Sequence, residues 1–179
     1  MASNNSSQAF KITIEPVALR NLIQTLNMMD KETQSRVRDA AQPLSARLAG
    51  QLHQAADSSP TPQARLVALS ITTPRDRLIR VDIGGSKKVG RKYGGTPSKS
   101  GKGKKVKQDA APAGALLWGS EHGSHPGNDR IGRNYTNRYS VGRNERGYWI
   151  TPTIDDYAPI VSAEYISIVS GIINDLELN

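Results

Sequence analysis

The sequence predicts an α+β domain: a small, mostly antiparallel sheet, a long kinked helix towards the N-terminus, a C-terminal helix, and two long loop inserts. Period-two apolar runs at Phe10–Ile14 and Ile79–Ile83 supply the strands, and a helical apolar period recurs over 37–55 and 160–176. The stretch between 84 and 146 shows no sustained period of either kind. At 179 residues, a single domain spanning 1–179 is expected.

Taken in order, residues 1–8 read as a polar tail. AFKITIE, residues 9–15, alternates Phe10, Ile12 and Ile14 with Lys11, Thr13 and Glu15, which predicts a strand with one buried face. Pro16 suits the first position of a short helix over 16–29, and Asp30 is placed to cap the next one. From Lys31 to about Ala56, Val37, Ala41, Leu44, Leu48, Leu52 and Ala55 form one stripe. Pro43 is expected to kink or divide that helix, and Gly50 weakens it by about 1 kcal/mol relative to alanine. SSPTP at 58–62 ends it. ARLVALSITT (64–73) and LIRVDI (78–83) read as two strands of an antiparallel hairpin. A first insert, basic and flexible, covers 84–112. AGALLW (113–118) is a helical turn or an extended stretch, and a second long loop covers 119–146. GYWITPTI (147–154) reads as a strand. Asp155 and Asp156 are placed to cap a last helix carrying Ile160, Val161, Tyr165, Ile168, Val169, Ile172, Ile173 and Leu176.

Composition narrows the function classes. Apolar residues make up 36% of the chain and phenylalanine occurs once, so the core is lean and partner subunits are expected to cover part of it. There is no cysteine, which excludes disulfides and thiol chemistry. MASNNSSQAF has neither the charge nor the apolar stretch of a signal peptide. No apolar run approaches the roughly 18 residues of a membrane span, so a soluble protein made inside the cell, without membrane association, is expected.

Charge is concentrated. The net charge is +8, yet residues 84–108 hold nine bases and no acid, leaving fifteen bases against sixteen acids elsewhere. The nine are Lys87, Lys88, Arg91, Lys92, Lys99, Lys102, Lys104, Lys105 and Lys107. Lysine among glycine and serine can follow phosphates without reading sequence, which makes these residues candidates for nucleic-acid or partner contact. The second loop carries Arg130, Arg133, Tyr135, Arg138, Tyr139 and Arg143, residue types enriched at protein interfaces. With Trp118 and Trp149 they are the candidate subunit-interface residues.

Catalytic signatures are missing. His122 and His125 with Glu121 or Asp129 could ligate a metal, but their spacing matches no helical or knuckle pattern. GSEHG around Ser120 is not a nucleophile elbow. GGTPSKSGKG departs from a phosphate-binding loop at Thr96 and Gly103. No enzyme activity, metal or cofactor is expected.

The order of these signals resembles the neck proteins of long-tailed bacteriophages, the head–tail connector, head–tail joining or tail-completion family. A long helix leads into SSPTPQARLVALSI (58–71), then RVDIGG, then ALLWGSEHG (115–123), and GYWITPTIDDYAPIVSAEYISIVSGII closes the chain. The resemblance spans about 30–176, with the basic insert an addition. Gln63-Ala64 stands where the family has threonine-glycine, Trp118 is the aromatic before Gly119, and Glu121 follows that glycine where the family's glutamate precedes it. The resemblance implies a non-enzymatic ring subunit of the virion, six copies or alternatively twelve, joining the portal side of the capsid to the tail with DNA passing through its lumen. It leaves open the adaptor, stopper, tail-completion and terminator positions. The competing expectation is a stand-alone, sequence-independent nucleic-acid-binding protein using the 84–108 loop.

Overall fold

A computed structural model describes residues 9–14, 30–93, 109–124, 127–128, 134–135 and 141–177, with backbone alone at 91–93, 109, 127–128, 134–135 and 176–177. The predicted helix over 16–29 lies outside the described residues. The described chain is α+β, with four helices and small antiparallel ladders.

Helix α1 (Lys31–Ser58) is the central element. Asp30 caps it as expected, its carboxylate accepting from the Thr33 N–H at 2.7 Å, and that bond holds the Asp30 carboxyl below its ordinary value. The helix runs through Pro43 without being divided. Val37, Ala41, Leu44, Leu48, Leu52 and Ala56 are buried along one side. The terminal helix α4 (Ile150–Glu177) packs against α1, burying Val161, Tyr165, Val169 and Ile172. Arg36 pairs with Asp175 and Arg47 with Glu164, so the two helices run antiparallel. The Tyr165 hydroxyl donates to the Arg77 carbonyl and ties α4 to the loop before the sheet.

Strands β1 (Ala9–Ile14) and β2 (Ile79–Gly84) pair antiparallel, from Ala9↔Gly84 to Ile14↔Ile79. The period-two pattern of β2 is realised residue by residue: Ile79, Val81 and Ile83 are buried, and Arg80 and Asp82 between them pair with each other. Arg80 also meets Asp76, a contact that helps hold the Asp76 carboxyl low against the opposing effect of its partial burial.

Two predicted strands are corrected. Residues 64–73 do not form a hairpin with 78–83. Gln63–Ala68 is a short helix, α2, and only Thr72 bridges to Asp82. Short apolar runs do not distinguish strand from helix by period. Here Pro62 presets the backbone for a helix start, and Ala64, Val67 and Ala68 bury at helical spacing. Ser70 then ends the helix by donating to the Val67 carbonyl and accepting from the Gly84 N–H. Likewise 147–154 is not a strand, because α4 already starts at Ile150. Pro152 falls in its first turn, where no backbone N–H is needed. Asp155 and Asp156 therefore sit inside the helix rather than at its cap.

Candidate interaction face

AGALLW, read as a turn or extended stretch, opens a ten-residue helix, α3 (Ala113–His122), from which both inserts are anchored. At its start, the Ala113 N–H bonds the Lys87 carbonyl at 2.8 Å and the Gly114 N–H bonds the Gly85 carbonyl at 2.9 Å. These bonds satisfy two of the donors that a helix N-terminus leaves open. They fix the root of the first insert, which is a β-hairpin: β3 (Lys88–Tyr93) pairs antiparallel with β4 (Asp109–Pro112). The ladder is irregular between Val89 and Tyr93, and Gly90 there has φ +79°. Tyr93↔Asp109 is its last pair, so residues 94–108 leave and return at one place. The described start of the basic run is therefore strand over Lys88–Tyr93, where a flexible loop was expected.

The C-terminal end of α3 holds the second insert. The Asn144 N–H bonds the His122 carbonyl at 2.8 Å, and His122 Nδ1 meets the Asn144 carbonyl at 2.9 Å, which fixes Nδ1 as the protonated nitrogen. The Ser124 N–H reaches the Val141 carbonyl at 3.3 Å. Beyond this root, β5 (Gly127–Asn128) pairs with β6 (Asn134–Tyr135).

Glu121 closes the unit. It is buried, with 2% of its surface exposed. Its Oε2 accepts from the Trp149 N–H at 3.2 Å and the Ile150 N–H at 2.8 Å, and its Oε1 accepts from the Thr151 N–H at 2.8 Å. A carboxylate 29 residues upstream of Ile150 therefore caps α4, where its charge meets the positive end of the helix dipole. Its own carbonyl also takes the Tyr148 N–H at 2.8 Å. Gly147 makes this possible: it has φ +87°, and a Cβ there would lie 1.9 Å from Glu121 Oε1. Sequence reasoning missed this role. The sequence pointed elsewhere: Asp155 and Asp156 stand just before the apolar period that begins at Ile160, so the helix already had caps in view and no distant acceptor was sought.

The predicted site residues divide accordingly. Trp118 is 53% exposed on α3, its ring 4.2 Å from that of His122 and beside Phe10 of β1. Trp149, expected at a subunit interface, is instead 1% exposed and belongs to this chain's own core. Lys87 and Lys88 are exposed at the arm's root, and the Lys87 ammonium donates to the Leu69 carbonyl. Arg91 and Lys92 lie in β3, Tyr135 lies in β6, and Arg143 is exposed. Lys99, Lys102, Lys104, Lys105, Lys107, Arg130, Arg133, Arg138 and Tyr139 fall outside the described residues.

Of the SEHGSH cluster and its neighbour, His125 and Asp129 lie outside the described residues. Both Glu121 oxygens are occupied by α4's N–H groups. Ser120 is buried and donates to the Leu117 carbonyl, while its own carbonyl accepts from Thr61 at 2.7 Å. No group of three or more metal-ligating side chains occurs among the described residues, and no helix there is long and apolar enough to cross a membrane. The arrangement is an exposed aromatic on a ten-residue helix, with an insert rooted at either end. No family model, curated protein or solved structure matches the chain.

Proposed function

We propose that this chain is a ring subunit of the neck of a long-tailed bacteriophage, placed between the portal side of the capsid and the tail, with DNA passing through the lumen. The observation that carries the reading is the interlock of WGSE (118–121) with GYWI (147–150). These are the segments on which the resemblance to connector proteins rests, and Glu121, Gly147 and the start of α4 make them one structural unit. Such a unit positions arms and presents a surface, and it works without catalysis. The helices and β1–β2 form the ring wall, and the arms reach towards neighbours, adjoining neck proteins or lumenal DNA. Six copies is the expected number, with twelve the alternative. Mass photometry of the purified chain and reconstruction of particles test the proposal. A discrete ring at the capsid–tail junction is the expected result, and a chain that is monomeric and absent from particles refutes it.

One observation favours a second reading, in which the chain binds nucleic acid without forming a ring. Residues 84–108 carry nine bases and no acid, and the Tyr93↔Asp109 pair holds the two ends of the 94–108 segment together. In that case the monomer binds duplex DNA with a steep salt dependence. Replacing the nine bases of 84–108 with glutamine abolishes that binding, whereas unchanged affinity removes this reading.

A further inference from the structure

We infer that the groove between Phe10 and Trp118 is the socket of a contact between copies of this chain, and that it receives the α4 surface around Ile160 of the next copy. The inference rests on the ring reading and specifies its interface. Ala9, Phe10, Leu117 and Trp118 line an open groove of about 310 Å³. Four large apolar side chains stand exposed among the described residues: Phe10, Leu69, Trp118 and Ile160. Two of them form the groove, and the other two are candidate knobs.

Charge selects between the knobs. The groove adjoins the root of the basic arm, since Ala9 pairs with Gly84 and α3's first N–H groups bond the Gly85 and Lys87 carbonyls. Anything docked there meets Lys87 and Lys88, both exposed at the root of the first insert. Leu69 lies beside Lys87, whose ammonium bonds the Leu69 carbonyl, so presenting Leu69 would bring like charges together. Ile160 is one helical turn from Asp156 on the same exposed face of α4, with Pro159 next to it. It therefore brings an apolar knob with a carboxylate at its edge. The same electrostatics oppose pairing the groove with itself, because Lys87 and Lys88 of the two copies would then converge. A contact between two different patches is heterologous, the type that generates closed rings.

The absence of cysteine gives a clean test. Ala9→Cys and Ala163→Cys place thiols beside the socket and the knob while leaving both anchors intact, and both sites are exposed. A short bis-maleimide should link the two single variants only when they are mixed. The double variant should give a ladder of covalent multimers. By mass photometry, Trp118→Ala and Ile160→Arg should each weaken assembly at least tenfold, with far-UV circular dichroism unchanged. If a ring persists in both variants and the mixture does not cross-link, the inference is overturned and the ring reading stands. If Ala9→Cys links to itself, the contact is isologous and the inference is likewise overturned. A native chain that stays monomeric at all concentrations and in particles overturns both.

Discussion

Replacing Glu121 with alanine should be among the most damaging single changes in the chain. It strands the N–H groups of Trp149, Ile150 and Thr151, of which the first two are buried. A hydrogen bond to a charged acceptor contributes about 1.5–3 kcal/mol, and loss of a helix cap costs about 0.5–2 kcal/mol. Thr151 is only half-buried and recovers solvent, so a total of about 3–5 kcal/mol is expected. That is a large part of the roughly 5–15 kcal/mol that stabilises a typical domain. At about 2–4 °C per kcal/mol for a chain of this size, the melting temperature should fall by about 10 °C. Glu121→Gln should cost about half as much, because its amide can still accept from one pair of donors but turns its own N–H towards the third. Gly147→Ala strikes the same contact from the other side. The double variant Glu121→Ala/Gly147→Ala should therefore cost less than the two single changes combined, since the new methyl enters space the carboxylate has left. Thermal and urea denaturation followed by circular dichroism provide the measurements. A Glu121→Ala protein melting within about 3 °C of the native one would refute the assignment of this carboxylate as α4's cap.

Other expectations are more local. Burial pushes the Tyr165 hydroxyl up to about 12, so the folded state favours the neutral form. This contribution is complete below the unfolded tyrosine value near 10 and is lost as pH rises from about 10 through 12. Absorbance titration at alkaline pH should show a late-ionising tyrosine that Tyr165→Phe removes, and a titration unchanged by that substitution would contradict the burial. Of the two tryptophans, Trp118 should be readily quenched by acrylamide and Trp149 should not. Trp118→Phe should abolish most of the quenchable emission, and in an assembled ring the native signal should become protected. Gly90→Ala forces a side chain into φ +79° and to 3.0 Å from Leu66 Cδ1, at a cost of about 1–2 kcal/mol. The effect should appear as a lower melting temperature, and a neutral result would place the arm's root elsewhere.

What the sequence made legible follows from the range of the forces involved. Strand β2, the stripe of α1 and the apolar face of α4 are set by local period and burial, so Ile79, Leu48 and Val169 could be placed in the core directly. Asp30 was readable as a cap because its partner is three residues away. Residues 63–68 were not, since six residues with apolar groups on both faces fit a strand or a helix equally, and Pro62 with packing against α1 and α3 decides between them. Trp149 looked like an interface residue because tryptophan is enriched there. Its burial comes from tertiary packing in the core cluster, which no local pattern shows. The exposed half of the face, Trp118, could be named from the sequence, but its neighbour Phe10, a hundred residues away, could not.

The pinning of each arm at its root separates two kinds of change. The Tyr93↔Asp109 pair holds the two ends of the 94–108 segment together, so closing that segment depends on its length only weakly. Doubling such a segment costs only about 0.6 kcal/mol. Lineages can therefore lengthen, shorten or recharge this arm to suit a new neighbour while the domain beneath it goes on folding as before. Tolerance of variation should thus drop abruptly on crossing from residue 94 to residue 93, and again from 108 to 109.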